Sequence, residues 1–111
     1  MTTGIESAIQ VALHGLSDRA KTTTDNIANI ETNGFLAGRT NFEDSLRKAL
    51  SSDTATNVAP KHTESMEATN TNGNNVNIDN ETVTAIDTEL RYQAMIEAMN
   101  VQFRTVRAAM G

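Results

Sequence analysis

Residues 5–31 read IESAIQVALHGLSDRAKTTTDNIANIE. Apolar side chains recur along this stretch at steps of three and four residues, the spacing of one face of an α-helix. We therefore expect an amphipathic N-terminal helix over 5–31. A core-facing helix of any function has such a stripe, so the pattern indicates fold alone. The residues of the stripe, with a threonine in its one gap, are Ile5, Ile9, Ala12, Leu16, Ala20, Thr23, Ile27 and Ile30.

The middle of the chain has weaker signals. Residues 32–50 are expected to contain a turn and a short helix, because Gly34 can adopt the left-handed conformation that closes a helix. The short helix is predicted over 41–50, with Asn41 as its cap, acidic residues in its first turn and basic residues in its last. Residues 51–75 are rich in Ser, Thr and Asn without periodicity, which predicts a flexible loop. A loop of this length favours an elongated molecule over a compact one.

The C-terminal part, 76–110, predicts a short extended segment followed by a helix from about Asn80 to Ala109. Apolar residues occupy two sides of this helix about half a turn apart at 100° per residue. Val83, Ile86 and Leu90 form the first row. A helix with two apolar sides requires burial from two directions, and one N-terminal helix covers one side only. A three-helix bundle within the chain would explain this, and so would contact of the second row with other subunits. We predict the latter, with an assembly interface that includes Tyr92, Ile96, Met99, Phe103, Val106 and Met110.

These elements predict a single domain over 1–111 that is mainly α-helical. Its N- and C-terminal helices should form an elongated, antiparallel, coiled-coil-like pair, with a short central helix and a long flexible central loop. Leu, Ile, Val and Phe number 22 of 111 residues, near the margin at which composition favours disorder. We expect partner surfaces to supply part of the burial.

Composition also bears on chemistry. The chain has no cysteine and two histidines, His14 on the polar side of the first helix and His62 in the loop with nothing to fix it in place. Residues 69–79 match a calcium loop at neither end and are interpreted as a turn. We predict no catalytic residue, no metal and no cofactor, hence no enzyme and no small-molecule substrate. The net charge of −5 argues against nucleic-acid binding, and no apolar run is long enough to span a membrane.

One segment is more specific than these patterns. Residues 26–35 read NIANIETNGF, with two asparagines at a helix end, a Thr-Asn-Gly turn and an aromatic after it. The chain resembles the flagellar axial family of bacterial rod and hook proteins, which has this motif near the N-terminus and a long C-terminal helix. The motif positions are Asn26, Ala28, Asn29, Thr32, Gly34 and Phe35. Segments 73–79 and 90–94 resemble the short proximal-rod class, class B.

The resemblance implies a structural subunit of the flagellar basal body rod that assembles through its terminal helices, transmits motor torque and is required for motility. It implies partners of its own kind, other rod proteins, the MS ring and the type III export gate. It also implies a place in the periplasmic rod, reached by type III export without a cleaved signal peptide. The alternatives are the other short rod class, class C, and a small helical-hairpin adaptor or export chaperone.

Overall fold

The computed structural model describes residues 4–51 and 60–111. The chain is mainly helical and elongated, with extents of 63 × 23 × 14 Å, which confirms the predicted fold class. Of the predicted 51–75 loop, residues 52–59 lie outside the described part. In chain order the elements are α1 (Gly4–Ala28), β1 (Gly38–Asn41), α2 (Glu43–Ser51), β2 (Lys61–Glu64) and α3 (Ile78–Met110).

The two long helices lie side by side and antiparallel. Near the start of α1, Ile9 shares a small cavity with Phe103 near the end of α3. At the end of α1, Asn26 Nδ2 donates a hydrogen bond to Glu81 in the first turn of α3, at 3.1 Å. No helix within the described residues is both long and apolar enough to cross a membrane.

Helix α1 is shorter than predicted at its C-terminal end. It stops at Ala28, and residues 29–32 continue in tighter turns, with Thr32 N donating to Asn29 O at 3.0 Å. The apolar stripe divides between two environments. Ile9, Ala12 and Leu16 are buried, whereas Ile5 and Ile27 are exposed.

The hydrophobic core is small and is centred on the side chain of Phe42, which precedes α2. Phe42 packs on Ala12 and Leu16 of α1, with Leu46, Tyr92 and Met95 around them. A Cβ atom built on Gly15 would lie 2.2 Å from Cγ of Phe42. Because carbon atoms pack at about 3.5–4.0 Å, only glycine leaves room for the ring. Gly15, in the interior of α1, therefore leaves the space that the ring of Phe42 occupies.

Arg19 of α1 also contacts the ring of Phe42. Its guanidinium carbon lies 4.8 Å from the centre of the Phe42 ring, and its Nη2 donates to Thr40 O at 2.7 Å and to Glu43 Oε1 at 2.6 Å. Burial raises the pKa of Glu43, but hydrogen bonds from Arg19 and from the backbone N–H of Phe42 outweigh that effect, so the pKa of Glu43 lies below its ordinary value. Arg19 thus ties α1 to the start of α2.

The sequence analysis did not predict the two-stranded sheet. Strands β1 and β2 pair antiparallel, with Gly38 opposite Glu64 and Asn41 opposite Lys61. Asn41 therefore belongs to β1 and is not the cap of the central helix, which begins at Glu43. Residues 61–64 of the predicted loop are a strand whose side chains are all exposed. Both strands have four residues and lack apolar alternation, which is the usual sequence signal.

Helix α3 begins at Ile78, two residues earlier than predicted, so the predicted extended segment ends at Asn77. The side-chain oxygen of Asn77 accepts hydrogen bonds from the backbone N–H groups of Asp79, at 3.0 Å, and Asn80, at 3.3 Å. This is the ordinary role of an N-cap asparagine, and it sets the helix start.

Candidate functional site

The motif at residues 26–35 contributes Asn26 to a largely buried polar junction, which we define by Asn26, Arg39, Asn74, Asn75 and Glu81. Asn26 is 1% exposed. Its Oδ1 accepts from Gly38 N at 2.8 Å, and its Nδ2 donates to Gly38 O at 3.0 Å. The amide therefore pairs with both backbone groups of one residue, as a neighbouring strand would. It fastens the end of α1 to the start of β1.

Glu81 brings α3 into the polar junction. Its carboxylate is buried and accepts from Asn26 through Oε2, at 3.1 Å, and from Arg39 Nη1 through Oε1, at 2.9 Å. An isolated buried carboxylate would be strongly unfavourable. Two donors from two other elements offset that cost and hold the first turn of α3 against α1 and β1.

Asn74 and Asn75 satisfy the turn that follows α1. Asn74 Nδ2 donates to Asn29 O at 2.9 Å and to Thr32 O at 2.7 Å, two carbonyls of the turns that follow α1. Asn75 Oδ1 accepts from Ala37 N at 2.7 Å. The segment before α3 thus closes over the motif.

The turn itself depends on two glycines. Gly34 has φ of +74° and Gly73 has φ of +80°, so the predicted left-handed conformation of Gly34 is confirmed. Gly34 N donates to Asn72 O at 2.8 Å, and a Cβ on Gly73 would lie 3.3 Å from Gly34 Cα. The two turns therefore touch. Residues 71–73 form a turn, whereas Ile78 and Asp79 at the end of the predicted 69–79 turn belong to α3.

The remaining motif positions have separate environments. Asn29 Nδ2 donates to Asp25 O at 2.8 Å, and Thr32 Oγ1 donates to Asn29 Oδ1 at 3.0 Å. Phe35 is half-buried, and its carbonyl accepts from Asn75 N at 3.2 Å. Ala28 is exposed, and nothing in the structure explains its identity.

Sequence reasoning found Asn26 and Asn29 but missed Arg39, Asn74, Asn75 and Glu81 as their partners. Adjacent asparagines directly after a glycine were the available signal, since such residues favour turns and bond backbone groups.

The two histidines have different surroundings. His14 is exposed on α1. The expectation that nothing fixes His62 is wrong, because its Nε2 contacts Asp18 Oδ2, and that oxygen also accepts from Thr40 Oγ1 at 3.2 Å. The pairing of β2 with β1 brings the imidazole to α1. Within residues 4–51 and 60–111, no cluster of three or more His, Asp or Glu side chains could hold a metal ion.

The predicted assembly row lies partly against α1. Tyr92 packs on the core, and Met99 is half-buried beside Ile9. The other four members are more exposed, with Phe103 and Met110 the most open. The assembly role of this row stays a prediction. Ile96 and Val106, the other two exposed members of the row, are each 38% exposed.

The opposite row faces solvent. Val83 is 67% exposed, Ile86 58% and Leu90 61%, and we call these three residues the outer ridge. In the same stretch the buried residues are Glu81 and Thr88, which are polar. The first half of α3 therefore has its polar side covered by its own chain and its apolar side open.

A groove of about 340 Å³ runs between α1 and α3. Its α1 wall includes Ala20 and Ile27, and its α3 wall includes Ala85, Thr88 and Tyr92. We call this the helix-pair groove.

No protein-family model matches the chain. The chain is similar to a protein from Bacillus subtilis (strain 168) described as flagellar basal body rod protein FlgB, with 26% identity over 115 residues. The match covers 92% of this chain and 89% of the relative. The distant relationship therefore extends over both terminal helices and the segments between them.

Proposed function

We propose that this chain is a structural subunit of the flagellar basal body rod, of the proximal-rod class B. The observation that carries the proposal is the near-full-length similarity to a flagellar rod protein. The structure agrees with a structural role, because the buried asparagines and Glu81 of the polar junction bond one another and backbone groups.

The exposed apolar surface of α3 supports assembly through the terminal helices. An apolar helix face open to water is unfavourable until another surface covers it. Of the predicted interface, the open sides of Ile96, Phe103, Val106 and Met110 are available to neighbours, whereas Tyr92 contributes mainly to its own core.

The proposed partners are further copies of this chain, other rod proteins, the MS ring and the type III export gate. The proposed location is the periplasmic rod, reached by type III export. A chain without disulfides and with a small core suits export in an unfolded state, since few native contacts oppose unfolding. In the rod it would transmit torque and be required for motility.

Deleting the gene and inspecting basal bodies by electron microscopy tests the proposal. We expect non-motile cells whose basal bodies lack a rod, and restoration of both by the wild-type gene. Basal bodies with a complete rod would contradict it. If the chain stays in the cytoplasm of wild-type cells, the adaptor or chaperone alternative is favoured instead.

A further inference from the structure

Two asparagines of this chain are each followed by a glycine, Asn33 by Gly34 and Asn72 by Gly73. The backbone nitrogen that follows an asparagine can attack Cγ of that side chain, and a side chain on the attacking residue hinders this step. Seven of the other ten asparagines precede Ile, Val or Thr, whose branched Cβ atoms crowd the nitrogen. Glycine hinders the attack least, so the sequence favours this reaction at two positions.

The reaction is deamidation, the loss of ammonia from the side chain. At Asn33, hydroxide removes the proton from Gly34 N, and this nitrogen forms a bond to Cγ of Asn33. The bond between Cγ and Nδ2 then breaks and ammonia leaves, which gives a cyclic succinimide. Water opens one of the succinimide carbonyls and gives either aspartate or isoaspartate, in which the backbone runs through Cγ. Both products have a new carboxylate, and isoaspartate also lengthens the backbone of the turn.

The fold restrains the attacking nitrogen of Gly34. Gly34 N donates to Asn72 O at 2.8 Å, so the proton that must leave is held against the second turn. Phe35 N donates to Thr32 O at 3.3 Å and Gly34 has φ of +74°, which together describe a type II turn with Asn33 at its second position. In such a turn ψ of the second residue is about +120°, which rotates Gly34 N away from Cβ of Asn33. Succinimide formation at Asn33 therefore requires the turn to open.

Asn72 is restrained at its side chain as well as at the following nitrogen. Gly73 N donates to Asn70 O at 2.9 Å, and Asn72 Oδ1 accepts from Asn74 N at 3.1 Å. In the described part of the chain, the side chain of Asn33 has no such partner. Attack on Cγ of Asn72 requires release of both the nitrogen and the side chain, so Asn33 is the more reactive of the two asparagines in the folded chain.

We propose that Asn33 is the deamidation site of the folded protein and that the contact between the two turns sets its rate. The reaction proceeds from the fraction of molecules in which the bond from Gly34 N to Asn72 O is open, as amide exchange does. Isoaspartate at this position shifts Gly34, which lies against Gly73 where the turns touch. The product therefore loosens the connection between the end of α1 and the start of α3. This inference does not depend on the rod proposal.

Mass spectrometry of the full-length protein tests the proposal at both positions. Trypsin places the two sites in separate peptides, 22–39 and 62–91. The wild-type protein is incubated at mildly alkaline pH with and without urea, and tandem spectra assign the deamidated residue. In urea, Asn33 and Asn72 should deamidate at similar rates, at least fivefold faster than any other asparagine. Without urea, the rate at Asn33 should fall at least tenfold, and the rate at Asn72 should be at least threefold lower still.

Two variants separate the effect of the contact from that of the dipeptide. Asn74→Ala removes the amide that donates to Thr32 O at 2.7 Å and so holds the first turn to the second. Asn100→Ala is the matched control, at an exposed asparagine of α3. Without urea, Asn74→Ala should raise the rate at Asn33 at least threefold, whereas Asn100→Ala should retain the wild-type rate. Amide exchange of the wild-type protein is an independent measurement, in which Gly34 N–H should exchange at least tenfold more slowly than in the unfolded chain.

Deamidation of Asn33 without urea at the rate seen in urea, or more slowly than Asn72, would overturn the proposal. An unprotected Gly34 N–H would overturn it as well, as would a wild-type rate at Asn33 in a folded Asn74→Ala variant. If circular dichroism shows that Asn74→Ala has lost its helices, the exchange of Gly34 N–H in the wild-type protein decides.

Discussion

Replacement of Gly15 by alanine should destabilise the protein, although the same change in an ordinary helix stabilises it. Alanine is favoured over glycine inside a helix by about 0.5–1 kcal/mol. Here the new methyl group would lie 2.2 Å from Cγ of Phe42 and 2.5 Å from its Cδ1. The ring must retreat by more than about 1 Å to restore contacts near 3.5–4.0 Å.

The magnitude follows from two limits. Overpacking that the core absorbs costs about 1–3 kcal/mol, and loss of a buried phenylalanine costs about 3–5 kcal/mol. Retreat of the ring also disturbs the Arg19 stack at 4.8 Å. After the helix gain is subtracted, we expect Gly15→Ala to lower the free energy of unfolding by roughly 2–3 kcal/mol.

A double-mutant cycle with Phe42→Ala isolates the clash. Urea unfolding of all four variants is followed by circular dichroism in the same concentration of a stabilising osmolyte, so that each retains a folded baseline. In the Phe42→Ala background the methyl group has free space, and Gly15→Ala should stabilise by about 0.5–1 kcal/mol. The sign of the effect should therefore reverse. If Gly15→Ala stabilises the wild-type protein by as much as it stabilises the Phe42→Ala variant, the methyl group does not clash with the ring, and the prediction is refuted.

Three further predictions concern single side chains. Within the described residues, Thr88 Oγ1 is buried without a hydrogen-bond partner, so Thr88→Val should stabilise by about 1 kcal/mol. Thr105→Val, at an exposed position, should stay within about 0.5 kcal/mol of wild type in the same urea assay. Glu81→Ala should lower the free energy of unfolding by about 2–3 kcal/mol. This is less than the roughly 3–5 kcal/mol lost when a fully buried ion pair is broken, because the guanidinium of Arg39 is partly exposed. An unchanged unfolding midpoint would argue against the polar junction. The folded-state pKa of Glu43 is lowered, so its stabilising effect is present above its unfolded pKa of about 4.3 and lost as pH falls through the lower folded value. Glu43→Gln should flatten the fall in stability as the pH drops below about 4.3, and identical pH profiles would contradict the hydrogen bond from Arg19.

The long helices could be predicted from sequence because their evidence is local. A stripe at helical spacing specifies α1 whatever its partners are, and the capping preferences of Asn and Gly place ends within a few residues. The two-stranded sheet could not be predicted, since Gly38–Asn41 and Lys61–Glu64 are short and polar. Their pairing depends on contacts between residues that are 20 to 26 positions apart in the chain.

The orientation of α3 could not be predicted from the sequence for a different reason. Both rows of this helix are apolar, and its own sequence does not say which row α1 covers. In the first half of α3, the covered side is decided by Glu81, whose donors come from α1 and β1. A polar residue that pairs only in the folded chain has no signal in a hydrophobic pattern. The same argument explains why Asn74 and Asn75 were assigned to a turn without their partners.

The most direct test of the rod assignment is the location of the chain when α3 bears charges on its open apolar side. Ile96→Asp with Phe103→Asp places two carboxylates on the predicted interface, and Gln93→Asp with Asn100→Asp places two on exposed polar positions of the same helix. Circular dichroism of the purified variants verifies that both retain the helices. Culture supernatants and isolated basal bodies are then probed for the chain, and swimming is measured in the same cells.

We predict that the wild-type and control chains are found in basal bodies and support swimming. The interface variant should be secreted but absent from basal bodies, with cells that do not swim, because an unpaired buried charge costs several kcal/mol. Incorporation of the interface variant into basal bodies with normal swimming would contradict assembly through this side of α3.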